Sequence, residues 1–331
     1  MAVAQRPDGR PVVALTGATG FIGSAVRAEL AARGVPVRAL VRGEPVPDGH
    51  TDWVPGDLAD RDALDGLCAG AGVLLHLASR VAGDADECAA VNDRGTAAVL
   101  AAATRAGIRR IVHLSTTAVY GAGPHDGIAV DEVPAAPLSA ASRTRLLGEG
   151  HALAAGAAVL RPALVTGTGD RWVVPALAEL ARRVPGRWAG GEARLSLVDR
   201  TDLARLITGL ALDAPGPVAG VHHAAHPEPV RGGDLLDALA GLGLLPAPDG
   251  PSLPWEECRR LLAATPGRVS ERQFAMIARD HWYRGDEVWR LAACPPGPGP
   301  LARLAAAAPW YRTVLGLQGA GPGQVRGREI A

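Results

Sequence analysis

Between a short apolar run, Pro11-Val12-Val13-Ala14-Leu15, and a segment of helical character, SAVRAELAARG (24–34), lies the turn Thr16-Gly17-Ala18-Thr19-Gly20-Phe21-Ile22-Gly23. No other stretch constrains the fold as much. Glycines at this spacing let the chain turn sharply at Gly17, admit a ligand against bare backbone at Gly20, and let the helix close onto the strand at Gly23. The helix N-terminus that follows offers free N–H donors and the positive end of a dipole, which suits a pyrophosphate. Gly17, Thr19, Gly20, Phe21, Ile22 and Gly23 are therefore expected to hold a dinucleotide. A glycine pattern alone is a weak signal, and its place between a buried strand and a helix gives it force.

The rhythm continues downstream. Apolar runs at VPVRALV, AGVLLHLA, IRRIVHLS and AAVLRPALV are separated by helical segments such as AAVNDRGTAAVLAAATRAG and residues 139–155. Apolar runs without strict alternation suit parallel strands covered on both faces, so an α/β, Rossmann-type doubly wound parallel sheet is expected. Residues 10–166 are assigned to this dinucleotide-binding unit, with 196–224 returning to it. Proline and glycine punctuation is heavier beyond 167, so 167–195 and 225–318 are assigned to a smaller C-terminal substrate and lid region. The Gly-rich stretch 319–331 is expected to be a frayed tail.

Composition narrows the function classes. The chain is 48% hydrophobic and 21% charged, enough to bury a large core, and its 34 basic residues balance 34 acidic ones. That balance argues against a nucleic-acid or anionic-membrane face. No apolar run reaches the length of a membrane span, and a soluble cytoplasmic protein is expected. Cys68, Cys88, Cys258 and Cys294 lie far apart, without metal-ligand spacing. All 34 basic residues are arginine, so any mechanism that needs a lysine is excluded. The second strand ends Val37-Arg38-Ala39-Leu40-Val41-Arg42, with no acid to receive a ribose 2′-hydroxyl. Arg42 is placed to receive a 2′-phosphate instead, which points to NADPH.

Seven ordered motifs carry a resemblance: TGATGFIG (16–23), GDLAD (56–60), LLHLAS (74–79), VNDRGT (91–96), LSTTAVYG (114–121), RPALVTGTGD (161–170) and LVDRTDLA (197–204). The chain resembles an extended short-chain dehydrogenase/reductase of the epimerase/dehydratase and dihydroflavonol-reductase type. The resemblance implies that Asp57 and Leu58 contact adenine, that Leu77, Ala78 and Ser79 line the ribose and nicotinamide side, and that Pro162 lies against the nicotinamide. It gives Asn92, the sole asparagine, a structural role.

The family works with a Ser/Thr and a Tyr-x-x-x-Lys pair, in which the tyrosine moves the proton and the lysine lowers its pKa. Thr116 matches the Ser/Thr. In the following helix, counting back from Glu149 places Arg145 at the lysine position and Ala141 at the tyrosine position, whereas a second register places Arg143 and Ser139 there. Neither register contains the pair, so the active site is atypical. Arg145 retains the positive charge and the ability to bind ribose, but with a guanidinium pKa above 12 it cannot shuttle protons. The proton would come from the substrate itself, through a hydroxyl beside its carbonyl, or from a water oriented by Thr116 and the hydroxyls of Ser139–Thr144.

His222, His223 and His226 read as structural rather than as metal ligands. His76 and His113 read as core residues, and Tyr120 as packing. Of the C-terminal tryptophans, Trp255, Trp282, Trp289 and Trp310 fill the core or line a pocket for a flat aromatic substrate. The leading expectation is an NADPH-dependent ketoreductase acting on a polycyclic aromatic ketone in antibiotic biosynthesis, similar to angucyclinone ketoreductases of the simocyclinone kind. The alternatives are a nucleotide-sugar epimerase or dehydratase and a catalytically inactive NADPH-binding regulator.

Overall fold

A computed structural model describes residues 11–44 and 47–317. The expected tail, 319–331, lies outside the described residues. Strands β1 (Val13–Thr16), β2 (Val37–Val41), β3 (Thr51–Pro55), β4 (Val73–His76) and β5 (Arg110–Leu114) build one edge and the centre of a parallel sheet. The short β6 (His125–Ile128) leaves that sheet, and β7 (Ala158–Arg161) returns to it. With strand Gly220–His223 the order becomes 220–223, β7, β5, β4, β1, β2, β3, every pair parallel. This is the doubly wound Rossmann-type sheet that the apolar runs predict. All four residues of β1, β4 and β7 are buried, as two covered faces require.

Helices cover both faces. α1 (Phe21–Ala32) packs against Arg200–Leu212, and their apolar stripes share a core with β1 and β5 through Val26, Leu30, Leu206 and Leu210. On the other face α2 (Arg61–Cys68), α3 (Ala85–Ala89), α4 (Thr96–Arg105) and α5 (Ala140–Ala154) lie over β4, β5 and β7. The helix expected over VNDRGT opens as a π-helical turn, Ala90–Gly95, before α4 begins. Thr96 turns its hydroxyl back to the Asn92 carbonyl in that turn, a side-chain bond that competes with the regular helical ladder.

Two further parts depart from the sequence reading. β3 was not anticipated: its residues are exposed or half-buried, as befits a sheet edge, so no buried run announces it. A second sheet of four short strands, 230–231, 194–195, 281–283 and β6, sits beside the C-terminal region. Strand Leu197–Asp199 pairs with β8 (Leu164–Thr166). The C-terminal region has its own core, with Leu177, Leu180, Phe274 and Tyr311 all fully buried.

Candidate active site

The glycine turn does what its spacing requires. Gly17 takes φ +74°, and a Cβ there would fall 2.6 Å from the Ala78 nitrogen, so the Leu77–Ala78 peptide lies directly on it. A Cβ at Gly23 would fall inside the Gly17 carbonyl. Gly20 is different: its only near neighbour would be the Gly17 oxygen at 3.2 Å, and the residue is exposed. The space over Gly20 is open for a ligand. α1 starts there with no side-chain cap and no acid in its first turn, so its leading N–H groups and dipole are left for an anion. Thr19 is exposed beside Gly20, while Phe21 and Ile22 are half-buried at the helix start. A dinucleotide pyrophosphate fits this cradle.

The remaining expected contacts surround the carboxyl edge of the sheet. Arg42 follows β2 directly and is exposed. It makes no hydrogen bond or ion pair among the described residues. Asp57 is exposed, and its side chain accepts the Ala59 N–H at 2.8 Å. Leu58 packs against Gly95. Leu77 is buried after β4, with Ala78 and Ser79 half-buried behind it. Pro162 is buried after β7, and its carbonyl accepts the Thr117 N–H at 3.0 Å.

Thr116 is half-buried at the end of β5 and caps a short 3-10 turn, its Oγ1 accepting the Ala118 N–H at 3.2 Å. Across from it runs α5. Arg145 turns inward, and its Nη2 donates to the Ser115 carbonyl and to that of Leu114 at 3.3 Å. Arg143 is exposed and folds back on the Leu138 carbonyl. The residues that face β5 are therefore those of the register counted from Glu149. Burial pushes the Arg145 guanidinium down to about 10, against an opposing pull from Glu149. Both Glu149 oxygens are already engaged: Arg161 Nε and Nη2 donate at 3.0 and 2.6 Å, and the Ser115 hydroxyl donates to Oε1. Among the described residues no carboxylate hydrogen-bonds to Arg145, and its buried Nε–H has no acceptor.

The hydroxyls of α5 have partners within the fold. Ser139 and Ser142 close a capping box on each other's N–H, and Thr144 donates back to Ala140 while accepting from Asn92. Short hydroxyls at a helix start are consumed by backbone groups that would otherwise lack partners. The C-terminal tryptophans are anchored in the fold. Trp289 is buried with its Nε1 on the Ala225 carbonyl, Trp310 bonds the Asp170 carbonyl, Trp255 packs on Phe274 and Trp282 bonds Asp126. The exposed tryptophan is Trp172, at 64%, which follows β8 at the start of α6 (Val173–Arg183). Val81 at 57%, after β4, and Leu138 at 50%, before α5, are the other large apolar side chains exposed on segments near this edge.

All three tyrosines are engaged inside the fold. The Tyr120 hydroxyl lies 2.7 Å from His223 Nε2 and 3.1 Å from the Val130 carbonyl. Tyr283 is buried and stacks on Tyr120, and burial raises its pKa. Tyr311 takes the Gly167 N–H and donates to Asp170, which itself caps α6. Among the described residues no cluster of side chains could hold a metal ion. The Glu149–Arg161 pair and Trp172 were not found by sequence reasoning. The signal for the first was present in the family-like spacing of Glu149, but its partner lies on another element.

The sequence profile of the NAD dependent epimerase/dehydratase family matches residues 13–218. A 4-hydroxy-2-methyl-3-oxo-4-farnesyl-3,4-dihydroquinoline-1-oxide ketoreductase of Stigmatella aurantiaca is 30% identical over 306 residues, covering 88% of this chain and 84% of that protein. A 2-alkyl-3-oxoalkanoate reductase of Stenotrophomonas maltophilia is 32% identical, covering 69% and 74% respectively. Among solved structures, the Bordetella bronchiseptica enzyme WbmH in complex with NAD+ superposes with a TM-score of 0.71 at 22% identity, over 92% of this chain and 99% of that one. MoeE5 in complex with UDP-glucose and NAD superposes with a TM-score of 0.68 at 24% identity, over 92% and 99%.

Proposed function

This chain belongs to the NAD dependent epimerase/dehydratase family, and on that premise we propose that it is an NADPH-dependent ketoreductase of a polycyclic aromatic ketone in antibiotic biosynthesis. The bound cofactor would supply the hydride. Gly17, Thr19, Gly20, Phe21, Ile22 and Gly23 hold its pyrophosphate, Arg42 its 2′-phosphate, Asp57 and Leu58 its adenine, and Leu77, Ala78, Ser79 and Pro162 the reactive end. Thr116 orients the carbonyl. Arg145 supplies fixed positive charge at the end of β5.

The observation that carries the reading is the burial of every tyrosine inside the fold while α5 turns Arg145 onto the Leu114 and Ser115 carbonyls at the end of β5. No phenol is left to protonate the product, so the proton comes from the substrate's own neighbouring hydroxyl or from water. General acid catalysis is typically worth about 10²–10⁴ in rate, and an internal hydrogen bond to the carbonyl substitutes for it. The exposed Trp172, Val81 and Leu138 are consistent with an apolar substrate, since exposed aromatic and aliphatic side chains are natural contacts for one. The Stigmatella relative is named for a ketone, the 3-oxo group of a dihydroquinoline N-oxide, that has a hydroxyl on the neighbouring carbon.

The test compares kcat/KM for a ketone bearing an adjacent phenol with that for its O-methylated or deoxygenated counterpart. Removal of the hydroxyl is expected to cost on the order of 10²–10⁴, and Thr116→Val far less. Loss of all turnover in one side-chain variant, with no effect of hydroxyl removal, would overturn the mechanism. A second reading, a nucleotide-sugar epimerase or dehydratase, is favoured by the solved neighbour holding UDP-glucose. It requires a protein base for an unactivated hydroxyl, and turnover of a UDP-sugar would establish it. Dinucleotide binding without turnover of either class would favour an inactive regulator.

A further inference from the structure

Beneath the cofactor cleft, β4 ends in a fully buried histidine. His76 Nδ1 lies 2.6 Å from Thr16 Oγ1, and Nε2 lies 2.9 Å from Thr96 Oγ1. Thr16 Oγ1 also accepts the Ala78 N–H at 3.3 Å, and Thr96 Oγ1 lies 2.8 Å from the Asn92 carbonyl. These contacts fix the direction of every proton. A carbonyl only accepts, so the Thr96 hydroxyl donates to Asn92 and must accept from His76, which places the ring proton on Nε2. Nδ1 is then an acceptor, and the Thr16 hydroxyl donates to it. The opposite tautomer would leave the Thr16 hydroxyl proton, which is wholly buried, without an acceptor among the described residues, and an unmet buried donor is costly.

The chain therefore runs from Ala78 N–H to Thr16 to His76, and from His76 to Thr96 to the Asn92 carbonyl. Its two ends do different work. One end holds the Leu77–Ala78 peptide, which lies on Gly17 and floors the cofactor cleft. At the other end the side chain of Asn92 takes the Arg80 N–H at 2.7 Å and donates to the Arg80 carbonyl at 2.8 Å and to Thr144 of α5 at 3.0 Å. The helix that carries Arg145 is thereby tied to the segment that follows β4.

We infer that His76 is a positioning residue, whose neutral Nε2–H form sets the direction of one hydrogen-bond chain joining the glycine turn, the 77–80 segment and α5. The inference rests on the dinucleotide site and not on the identity of the ketone. It is tested by two substitutions that each keep half of the ring's bonding. Asparagine reproduces the acceptor at Nδ1, and glutamine reproduces the donor at Nε2.

His76→Asn should hold NADPH within about twofold of the wild-type Kd while kcat falls, because only the α5 arm is broken. His76→Gln should weaken NADPH binding about tenfold, the worth of one buried hydrogen bond, with the smaller change in kcat. Binding is read by cofactor fluorescence without substrate, so it stands whether or not the ketone is correctly named. Equal effects of the two variants on Kd, or the reverse order, would overturn the inference. If either variant fails to fold, Thr16→Ser against Thr16→Val asks the same question, with serine expected to keep binding and valine to lose about tenfold. Nitrogen-15 spectra of the nine histidines in the wild-type protein read the tautomer directly. A His76 ring protonated at Nδ1, or at both nitrogens, at pH 7 would refute the assignment outright.

Discussion

Replacement of Glu149 by glutamine tests how the base of the site is held. The Glu149 and Arg161 side chains are 2% and 8% exposed and share two hydrogen bonds, at 3.0 and 2.6 Å. Removing one charge of a buried pair usually costs about 3–5 kcal/mol, because the surviving ion keeps its desolvation penalty without a partner. Glutamine retains one carbonyl oxygen for Arg161, and the guanidinium keeps the Tyr120 ring face at 4.7 Å. Neither replaces the counter-charge, so about 2–4 kcal/mol of destabilisation is expected. At roughly 2–4 °C per kcal/mol for a large domain, the melting temperature should fall by about 5–10 °C in calorimetry. Glu149→Leu combined with Arg161→Met should recover most of that loss, since an apolar pair of similar volume is often no less stable. A single-variant loss under about 1 kcal/mol, or a double variant as unstable as the two singles summed, would refute the picture of a coupled buried pair.

Gly20→Val should abolish dinucleotide binding and leave the melting temperature nearly unchanged, because φ is −74° and a side chain there meets only the Gly17 oxygen; retained NADPH binding in titration calorimetry would remove the site from Gly20. Arg42→Ala should weaken NADPH about ten- to a hundredfold, the worth of one charge-assisted contact, and leave NADH unchanged; equal Kd values for the two cofactors in the wild type would exclude a 2′-phosphate role. Burial lowers His76 and His223 to about 4 and His113 further, so the unfolded chain binds more protons below about pH 6.5. Stability should therefore hold above that pH and fall steadily as pH drops towards 4, and a urea midpoint unchanged between pH 7 and 4.5 would contradict it.

The parts of the fold legible in the chain were those with a local signature. The glycine turn, the fully buried strands and the helix between them can each be read within about thirty residues, because burial on two faces and a tight turn constrain neighbouring positions together. β3 left no such mark, since Thr51, Trp53 and Val54 are only half-buried at the sheet edge. The second sheet is built from strands of two to four residues that pair across long separations, such as His125 with His281, and nothing local foretells that partner. At the site, the spacing to Glu149 was enough to place Arg145 opposite β5. The direction of its guanidinium was not, because it depends on which carbonyls β5 leaves open, and those are set by the turn at Thr116–Tyr120.

That direction decides what the site can offer a ketone. A guanidinium lowered to about 10 is still charged in all but about one molecule in a thousand at pH 7, so it can stabilise negative charge. Glu149 attracts it only at a distance, its oxygens being hydrogen-bonded by Arg161 and Ser115. On the proposed reading, hydride arriving at a carbonyl near Thr116 creates an oxyanion beside that cation, an arrangement in which one fixed donor is commonly worth about 10²–10³ in rate. The oxyanion still has to be quenched, and Tyr120, Tyr283 and Tyr311 are all committed elsewhere. A ketone with a phenol beside its carbonyl meets both demands, since the phenol polarises the carbonyl before transfer and its proton passes to the alkoxide after it. A simple ketone would find the charge but would depend on water for the proton, and selection between the two would rest on chemistry carried by the substrate rather than on a side chain of the enzyme.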